Sequence, residues 1–291
     1  MTPPLDTQHV RHAFGRAATT YEAHAVLQHE VEQRLLERLE YVEGEPDRVL
    51  DVGCGPGSAA LALRKRWKSA HVVALDLALP MLRRIRAGWL RPLARINADA
   101  RMLPLADASV DVLFSNLCMQ WIDDVPALFD EFRRVLRPRG YLAISTFGPD
   151  TLYELRAAWA QVERAPHVGR FADIARIGDA LMQAGFRDPV LDAEHFTLTY
   201  ADAGALMREL KAIGATNADA ARPRGLTGKT HWRGMLESYE SFRSNGVLPA
   251  TYEVIYAHAW APEPGQPRRS RGGGEIATFS VDRLRGSRRE R

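Results

Sequence analysis

The chain has 291 residues, enough for one large or two small domains, and its 46% hydrophobic and 26% charged residues exclude a collagen-like, disordered or membrane-spanning protein. No apolar run approaches the roughly 20 residues that cross a bilayer, and the N-terminus, with His9, Arg11, His12 and Arg16, lacks a signal peptide's apolar stretch, so no membrane association and a cytoplasmic location are expected. The net charge is +3, but residues 262–291 hold eight arginines against four acids, a local +4 that leaves −1 for the rest.

In chain order, residues 8–42 carry Val26, Leu27, Val31, Leu35, Leu36 and Leu39 at helical spacings with no proline, which predicts an N-terminal helical segment. Residues 48–53 are a valine-rich apolar run followed by a glycine-studded turn, the pattern of a buried strand opening into a helix over about 58–67. The alternation repeats: strand 71–76, helix 81–89, short strand 95–98, strand 110–115. Val125, Leu128, Phe129, Phe132, Val135 and Leu136 form the stripe of a helix packed on a sheet, ended by Pro138 to Gly140 before a strand over 141–147.

Beyond Gly148 the rhythm changes. Helices are predicted at about 151–163, 174–184, 202–213 and 232–242, with strands over 190–200 and 251–260. The alternation predicts an α/β fold with a doubly wound, mostly parallel seven-stranded sheet, because parallel neighbours need crossovers and helices supply them. The expected organisation is an N-terminal helical lid at 1–44, a main domain at 45–261 with a helical insertion at about 150–187 acting as a cap, and a tail at 262–291. The tail's Gly, Pro, Ser and Arg content suits a solvated extension better than a nucleic-acid-binding arm, and no nucleic-acid partner is expected.

The chemistry concentrates at strand ends. Asp51-Val-Gly-Cys-Gly-Pro-Gly57 joins the first strand to its helix, where glycines allow close backbone approach and the helix N-terminus offers free N–H groups. Asp76 closes the second strand, where a carboxylate can accept both hydroxyls of a ribose; Asp99 follows the third and Asn116 the fourth. All sit at the carboxyl edge of the sheet, where open α/β folds bind ligands. Cys54 and Cys118 are too few for a disulfide framework or a structural zinc site and are expected to be free thiols. His167 has no partner at metal-ligand spacing, so no metal is expected.

These motifs, with Leu75-Asp76, Asn97-Ala-Asp99, Leu103-Pro104 and Val135-Leu-Arg-Pro-Arg-Gly140, resemble class I S-adenosylmethionine-dependent methyltransferases over about residues 45–148. The resemblance implies that Gly53, Cys54, Gly55 and Gly57, with Asp51, cradle the methionine portion of S-adenosylmethionine. It also implies that Asp76 holds the ribose, that Asp99 and Ala100 border the adenine, and that Leu77, Met81 and Asn116 complete the cofactor site.

Outside that core, Phe14-Gly-Arg-Ala-Ala18 with Tyr21, Ser115 to Trp121, Pro166 to Phe171 and Leu210 to Ala215 resemble the malonyl-acyl-carrier-protein O-methyltransferases of early biotin synthesis. That resemblance implies methylation of the free malonyl carboxyl on the carrier protein, or on coenzyme A. Arg170 and Lys211 would bind the carboxylate, with Tyr21, Gln120 and Trp121 positioning the substrate. Phe147 to Arg156, Leu248 to Tyr252 and Glu275 to Phe279 are also similar to a mitochondrial complex I assembly factor that hydroxylates arginine. Methylation of another small acid or a quinone precursor is a further alternative.

Overall fold

The computed structural model describes residues 4–86, 88, 93–223, 225 and 227–263, together with the backbone of 268–269 and 275–276. Three helices, α1 (Thr7–Ala17), α2 (Tyr21–His24) and α3 (Val26–Glu37), and a 3-10 turn at Arg38–Tyr41 replace the continuous helix expected over 8–42. Asp6 starts α1 by accepting the His9 N–H at 2.9 Å. The break after Ala17 has its cause at Thr20. Thr20 Oγ1 donates to the carbonyls of Ala17 and of Ala212, so its side chain competes with the backbone for helical acceptors.

The alternating core follows: β1 (Arg48–Val52), α4 (Ser58–Arg66), β2 (His71–Asp76), α5 (Leu79–Leu82), β3 (Ala94–Asn97), β4 (Val110–Ser115), α6 (Val125–Val135) and β5 (Leu136–Phe147). α5 stops at Leu82, short of the helix expected over 81–89, whose residues 87 and 89 lie outside the described residues. α6 begins at Asp124, which accepts the Ala127 N–H at 3.0 Å, and its expected stripe is buried. The strand after it starts five residues earlier than expected. Pro138 biases Arg137 to extended backbone, and the pairing jumps from Val110↔Leu136 to Val112↔Tyr141, a bulge that accommodates Pro138 and Gly140.

α7 (Tyr153–Ala160), α8 (Ile174–Gln183), β6 (Arg187–Tyr200), α9 (Ala203–Ala212), α10 (Lys229–Glu240) and β7 (Leu248–Trp260) complete the domain. β8 (Arg268–Arg269) and β9 (Glu275–Ile276) pair antiparallel; the solvated extension expected over 262–291 otherwise falls outside the described residues. The main sheet runs β3-β2-β1-β4-β5-β7-β6, with β7 antiparallel to both neighbours and the others parallel.

Alternate residues of each strand feed two cores. Val49, Val72, Ala74, Phe114, Tyr141 and Tyr256 face one core shared with α3, α4, α7, α9 and α10, while Leu50, Val73, Leu75, Leu113 and Ile255 face α6 and α8. The position of α8 corrects the expected cap. Ile177, Ala180 and Leu181 pack it against the sheet beside α6, so it is a sheet-covering helix and not part of a roof. Phe129 is fully buried in the same core, in edge contact with Phe132 and Phe186. Phe129→Ala is expected to cost about 3–5 kcal/mol of stability. Urea unfolding checks this; a loss below about 1 kcal/mol would show that the site refills.

Candidate functional site

Strand order reverses between β1 and β4, which opens a crevice at their carboxyl ends. The turn filling it passes through left-handed backbone at Gly53 (φ 71°), Gly55 (φ 53°) and Gly57 (φ 90°). A Cβ on Gly53 would lie 2.5 Å from Cys118 Sγ, and one on Gly57 2.7 Å from Ile85 Cγ1, whereas at Gly55 nothing lies within 4 Å. Gly53 and Gly57 are therefore packed turn formers, and Gly55 faces open space. Gly57 does not line the cavities described below, which its neighbours Gly55, Pro56 and Ser58 border.

Asp76 Oδ2 accepts the Gly55 N–H at 2.9 Å and Oδ1 the Ala78 N–H at 2.7 Å, while Asn97 Nδ2 donates to the carbonyls of Asp76 and Leu77 at 2.9 Å. Burial pushes Asp76 up to about 6 despite those two N–H bonds. Asp51 is raised well above the usual carboxylate range by burial and then by the charges of Glu32 and Asp76, and its Oδ2 has no hydrogen-bond partner. Glu32, on α3, is also raised by burial, although it accepts Ser58 Oγ at 2.6 Å. Neither spacing nor motif marked Glu32, because its partner Ser58 is 26 residues away.

A narrow cavity of about 90 Å³ is bordered by Gly53, Gly55, Asp76, Leu77, Met81, Asp99, Ala100, Asn116 and Tyr21. A smaller one, about 20 Å³, adjoins it across the turn and holds Asp51, Cys54, Glu32 and Gln28, with Tyr21, Gly53, Gly55 and Asn116 common to both. These residues fit a cofactor bearing a cation beside Asp51 and Glu32 and hydroxyls beside Asp76. The orphaned carboxylate oxygen and the room over Gly55 are the observations that test the fit. Asp99 is clamped by Arg101 through Nε–H at 3.0 Å and Nη2–H at 2.6 Å. Asn116 donates to the Gln28 carbonyl and accepts Ser145 Oγ, which ties β4 to α3 and β5.

A second cavity, about 340 Å³, lies beside the first and contains Gln120, Trp121, Arg170 and Lys211. Its other walls are largely apolar, among them Phe147, Leu155, Trp159, Met207, Trp232 and Tyr252. Trp121 borders both cavities and meets Phe14 of α1 edge-on, with ring centroids 5.2 Å apart. Gln120 is fixed at both ends: Nε2 donates to the Leu117 carbonyl at 2.7 Å and Oε1 accepts Thr146 Oγ1 at 3.3 Å. Arg170 and Lys211 are exposed and make no ion pair or side-chain hydrogen bond among the described residues.

Tyr21 departs from expectation, since it borders the cofactor-side cavities and not the second cavity. His167 lines the second cavity, stacked on Trp159 at 3.6 Å and bonded to Glu163 at 2.7 Å. Burial pushes the Cys118 thiol up to about 12 and raises Cys54 well above its usual value, so neither supplies a thiolate near neutral pH. Both are free, as expected.

The N-terminus and the segment after α9 close over this region. His9 Nε2 lies 3.0 Å from Thr216 Oγ1, Arg222 donates to Asp6 at 2.9 Å, and Gly214 (φ 80°) brings the backbone against Phe14, where a Cβ would stand 3.1 Å from its Cα. No described helix is long and apolar enough to cross a membrane.

Residues 50–144, which carry the glycine turn, Asp76, Asp99 and Asn116, match the family described as "Methyltransferase domain". A solved protein from Bacillus halodurans C-125 superposes with a TM-score of 0.59 at 19% identity, covering 80% of this chain and 99% of its own. Phosphoethanolamine N-methyltransferase 2 of Haemonchus contortus, in complex with phosphomonomethylethanolamine and S-adenosylhomocysteine, superposes at 0.50 with 18% identity, covering 80% of this chain and 52% of that one. These likenesses show the class I methyltransferase fold, and the cofactor of such a domain is S-adenosylmethionine. Full-length similarity is more specific. The malonyl-[acyl-carrier protein] O-methyltransferase of Xylella fastidiosa (strain M23) is 53% identical over 284 residues, 96% of each chain, and that of Gallionella capsiferriformans (strain ES-2) is 48% identical over 284 residues, 95% of this chain and 97% of its own. The chain belongs to the malonyl-[acyl-carrier protein] O-methyltransferase family.

Proposed function

We propose that the protein transfers a methyl group from S-adenosylmethionine to the free carboxyl of malonyl-acyl-carrier protein, giving the methyl ester that primes pimeloyl and biotin synthesis. The observation that carries this assignment is the pair of cations, Arg170 and Lys211, in an otherwise mostly apolar cavity that shares Trp121 with the cofactor crevice. Neither cation has a carboxylate of the protein to neutralise it among the described residues. An acyl group ending in a carboxylate supplies one.

The cofactor contributes an electrophilic methyl on a sulfonium; everything else falls to the chain. Asp76 would hold the ribose hydroxyls on the lone pairs that Gly55 and Ala78 leave open. Asp51 and Glu32 would face the α-ammonium, and Asp99 and Ala100 would border the adenine. A malonyl carboxyl with an ordinary pKa near 4 is already ionised at neutral pH, so the protein has no proton to remove. Its tasks are orientation and exclusion of water. Arg170 presents a planar fork and Lys211 a point charge. One edge of the carboxylate would rest on them, leaving the other oxygen facing the cofactor past Trp121, with Gln120 held rigid beside it.

Mass spectrometry of malonyl-acyl-carrier protein incubated with the enzyme and isotopically labelled S-adenosylmethionine tests the assignment. One labelled methyl per acyl chain is expected, and no transfer would overturn it. Arg170→Ala should lower kcat/KM for the malonyl acceptor by roughly 10- to 150-fold, the equivalent of losing a charged hydrogen bond of about 1.5–3 kcal/mol, with cofactor affinity unchanged. Because Arg170 is exposed, the larger penalty of a fully buried, abandoned charge does not apply.

The cofactor site makes two further predictions. Asp76→Ala should weaken S-adenosylmethionine binding at least tens-fold, because two charge-assisted hydrogen bonds are lost. In the unaltered protein, affinity should fall about tenfold per pH unit below about 6, where the free carboxylate takes up a proton that the ribose contacts exclude. Calorimetry across that range checks both; a flat profile would place the ribose elsewhere. Gly55→Val should abolish cofactor binding by filling the open space at that turn, with the folded state verified by circular dichroism. Retained affinity would mean that the cofactor does not approach this turn.

A further inference from the structure

Away from the crevice, three potential ligand groups converge where the sequence places them far apart. Asp150 lies in the turn after β5, His195 on the edge strand β6, and Glu253 directly opposite it on β7. One donor atom from each falls within 4.8 Å of the other two. His195 Nε2 stands 3.2 Å from Asp150 Oδ2, and these two side chains are exposed. That pair alone would be an ordinary surface contact worth little.

Glu253 is what an ordinary contact leaves unexplained. It is nine-tenths buried, yet its carboxylate accepts only the Asp150 N–H, at 2.9 Å on Oε2, and meets no arginine or lysine among the described residues. Its other oxygen, Oε1, accepts no hydrogen bond among the described residues and is not sealed inside the protein, which leaves it open to a ligand. The surrounding backbone is built around this group. A Cβ on Gly148 would lie 2.4 Å from Glu253 Cδ, so any side chain there would displace this carboxylate. The Gly148 N–H and Thr151 Oγ1 both donate to the Glu253 carbonyl, at 2.8 and 3.0 Å, so the turn carrying Asp150 is fixed against the strand carrying Glu253.

We propose that Asp150, His195 and Glu253 form a binding site for a first-row divalent metal ion, with Zn²⁺ the best match to one imidazole and two carboxylates. An imidazole with carboxylate oxygens suits zinc and its neighbours better than calcium or magnesium, which favour all-oxygen shells. An ion there would neutralise Glu253 and clip the β6–β7 pair to the turn that launches α7. From α7 and its approach, Leu152, Leu155 and Trp159 reach the acceptor cavity. The ion is therefore placed as a structural clip, separate from the transfer chemistry and independent of the acceptor's identity.

The test is titration of the tag-free, chelator-treated full chain with ZnCl₂ by calorimetry, repeated with Co²⁺ to read its visible absorption bands. One ion per chain and a zinc-dependent rise in melting temperature are expected. His195→Ala and Asp150→Asn should each weaken binding by at least about tenfold and abolish the thermal shift. Both change exposed positions, so the chain's fold does not depend on them as it does on Glu253. Absence of 1:1 zinc binding, or binding unchanged in both variants, would overturn the site.

Discussion

The site depends on a backbone constraint: three left-handed positions within the five residues that separate β1 from α4. Gly53 can follow the turn only because it has no Cβ to meet Cys118, and Gly57 only because it has none to meet Ile85. With those two positions packed, Gly55 is left over empty space with its N–H aimed at Asp76. The same turn delivers Ser58 at the start of α4 to Glu32, and the Gly53 and Cys54 N–H groups to the Leu75 carbonyl at 2.8 and 3.0 Å. One turn thus registers β1 against β2 and α4 against α3.

Holding this turn open carries an electrostatic cost. Burial raises Asp51, Glu32 and Asp76 above their ordinary values, and the charges of Glu32 and Asp76 raise Asp51 further. For Asp76 the sign is definite. Between the ordinary value near 4 and about 6, the folded state keeps a proton that the unfolded chain has released, so this group's contribution to stability falls as pH rises through that window. Burial thus opposes ionisation at all three carboxyls of the free crevice. A ligand that brought a positive charge to Asp51 and hydroxyl donors to Asp76 would favour their ionised forms.

Much of the fold was legible because buried parallel strands are short apolar runs: β1, β2 and β4 begin and end within a residue of the expected positions. Asp76, Asp99 and Asn116 were legible for a related reason, since a polar residue ending such a run falls at the carboxyl edge. What the sequence hid were relations set by tertiary contacts. Thr20 breaks the N-terminal helix through a carbonyl 192 residues away, α8 has the length and amphipathicity of a cap but joins α6 on the sheet, and Tyr21 sits on the cofactor side. Glu32 faces Ser58 across two elements, and Asp150, His195 and Glu253 meet only because β6 pairs with β7. No local spacing encodes any of these.

The arrangement of charge across Trp121 fits the demands of the transfer. Carboxylates line the crevice on one side, and two cations stand in a mostly apolar cavity on the other. A sulfonium and a carboxylate carry opposite charges that both vanish as ester and thioether form, so charge diminishes towards the transition state. Removing water destabilises the charged reactants more than that transition state, and on the proposed function the aromatic walls formed by Phe147, Trp159 and Trp232 would serve this purpose. The same reasoning limits how tightly the cations should grip. A buried, fully paired arginine would stabilise the reacting carboxylate and raise the barrier, whereas on the proposed function the exposed Arg170 and Lys211, screened by solvent, would select an anionic acyl end at little cost to its nucleophilicity. Exposure of these two side chains is thus consistent with a site that must recognise a charge and then let it disappear.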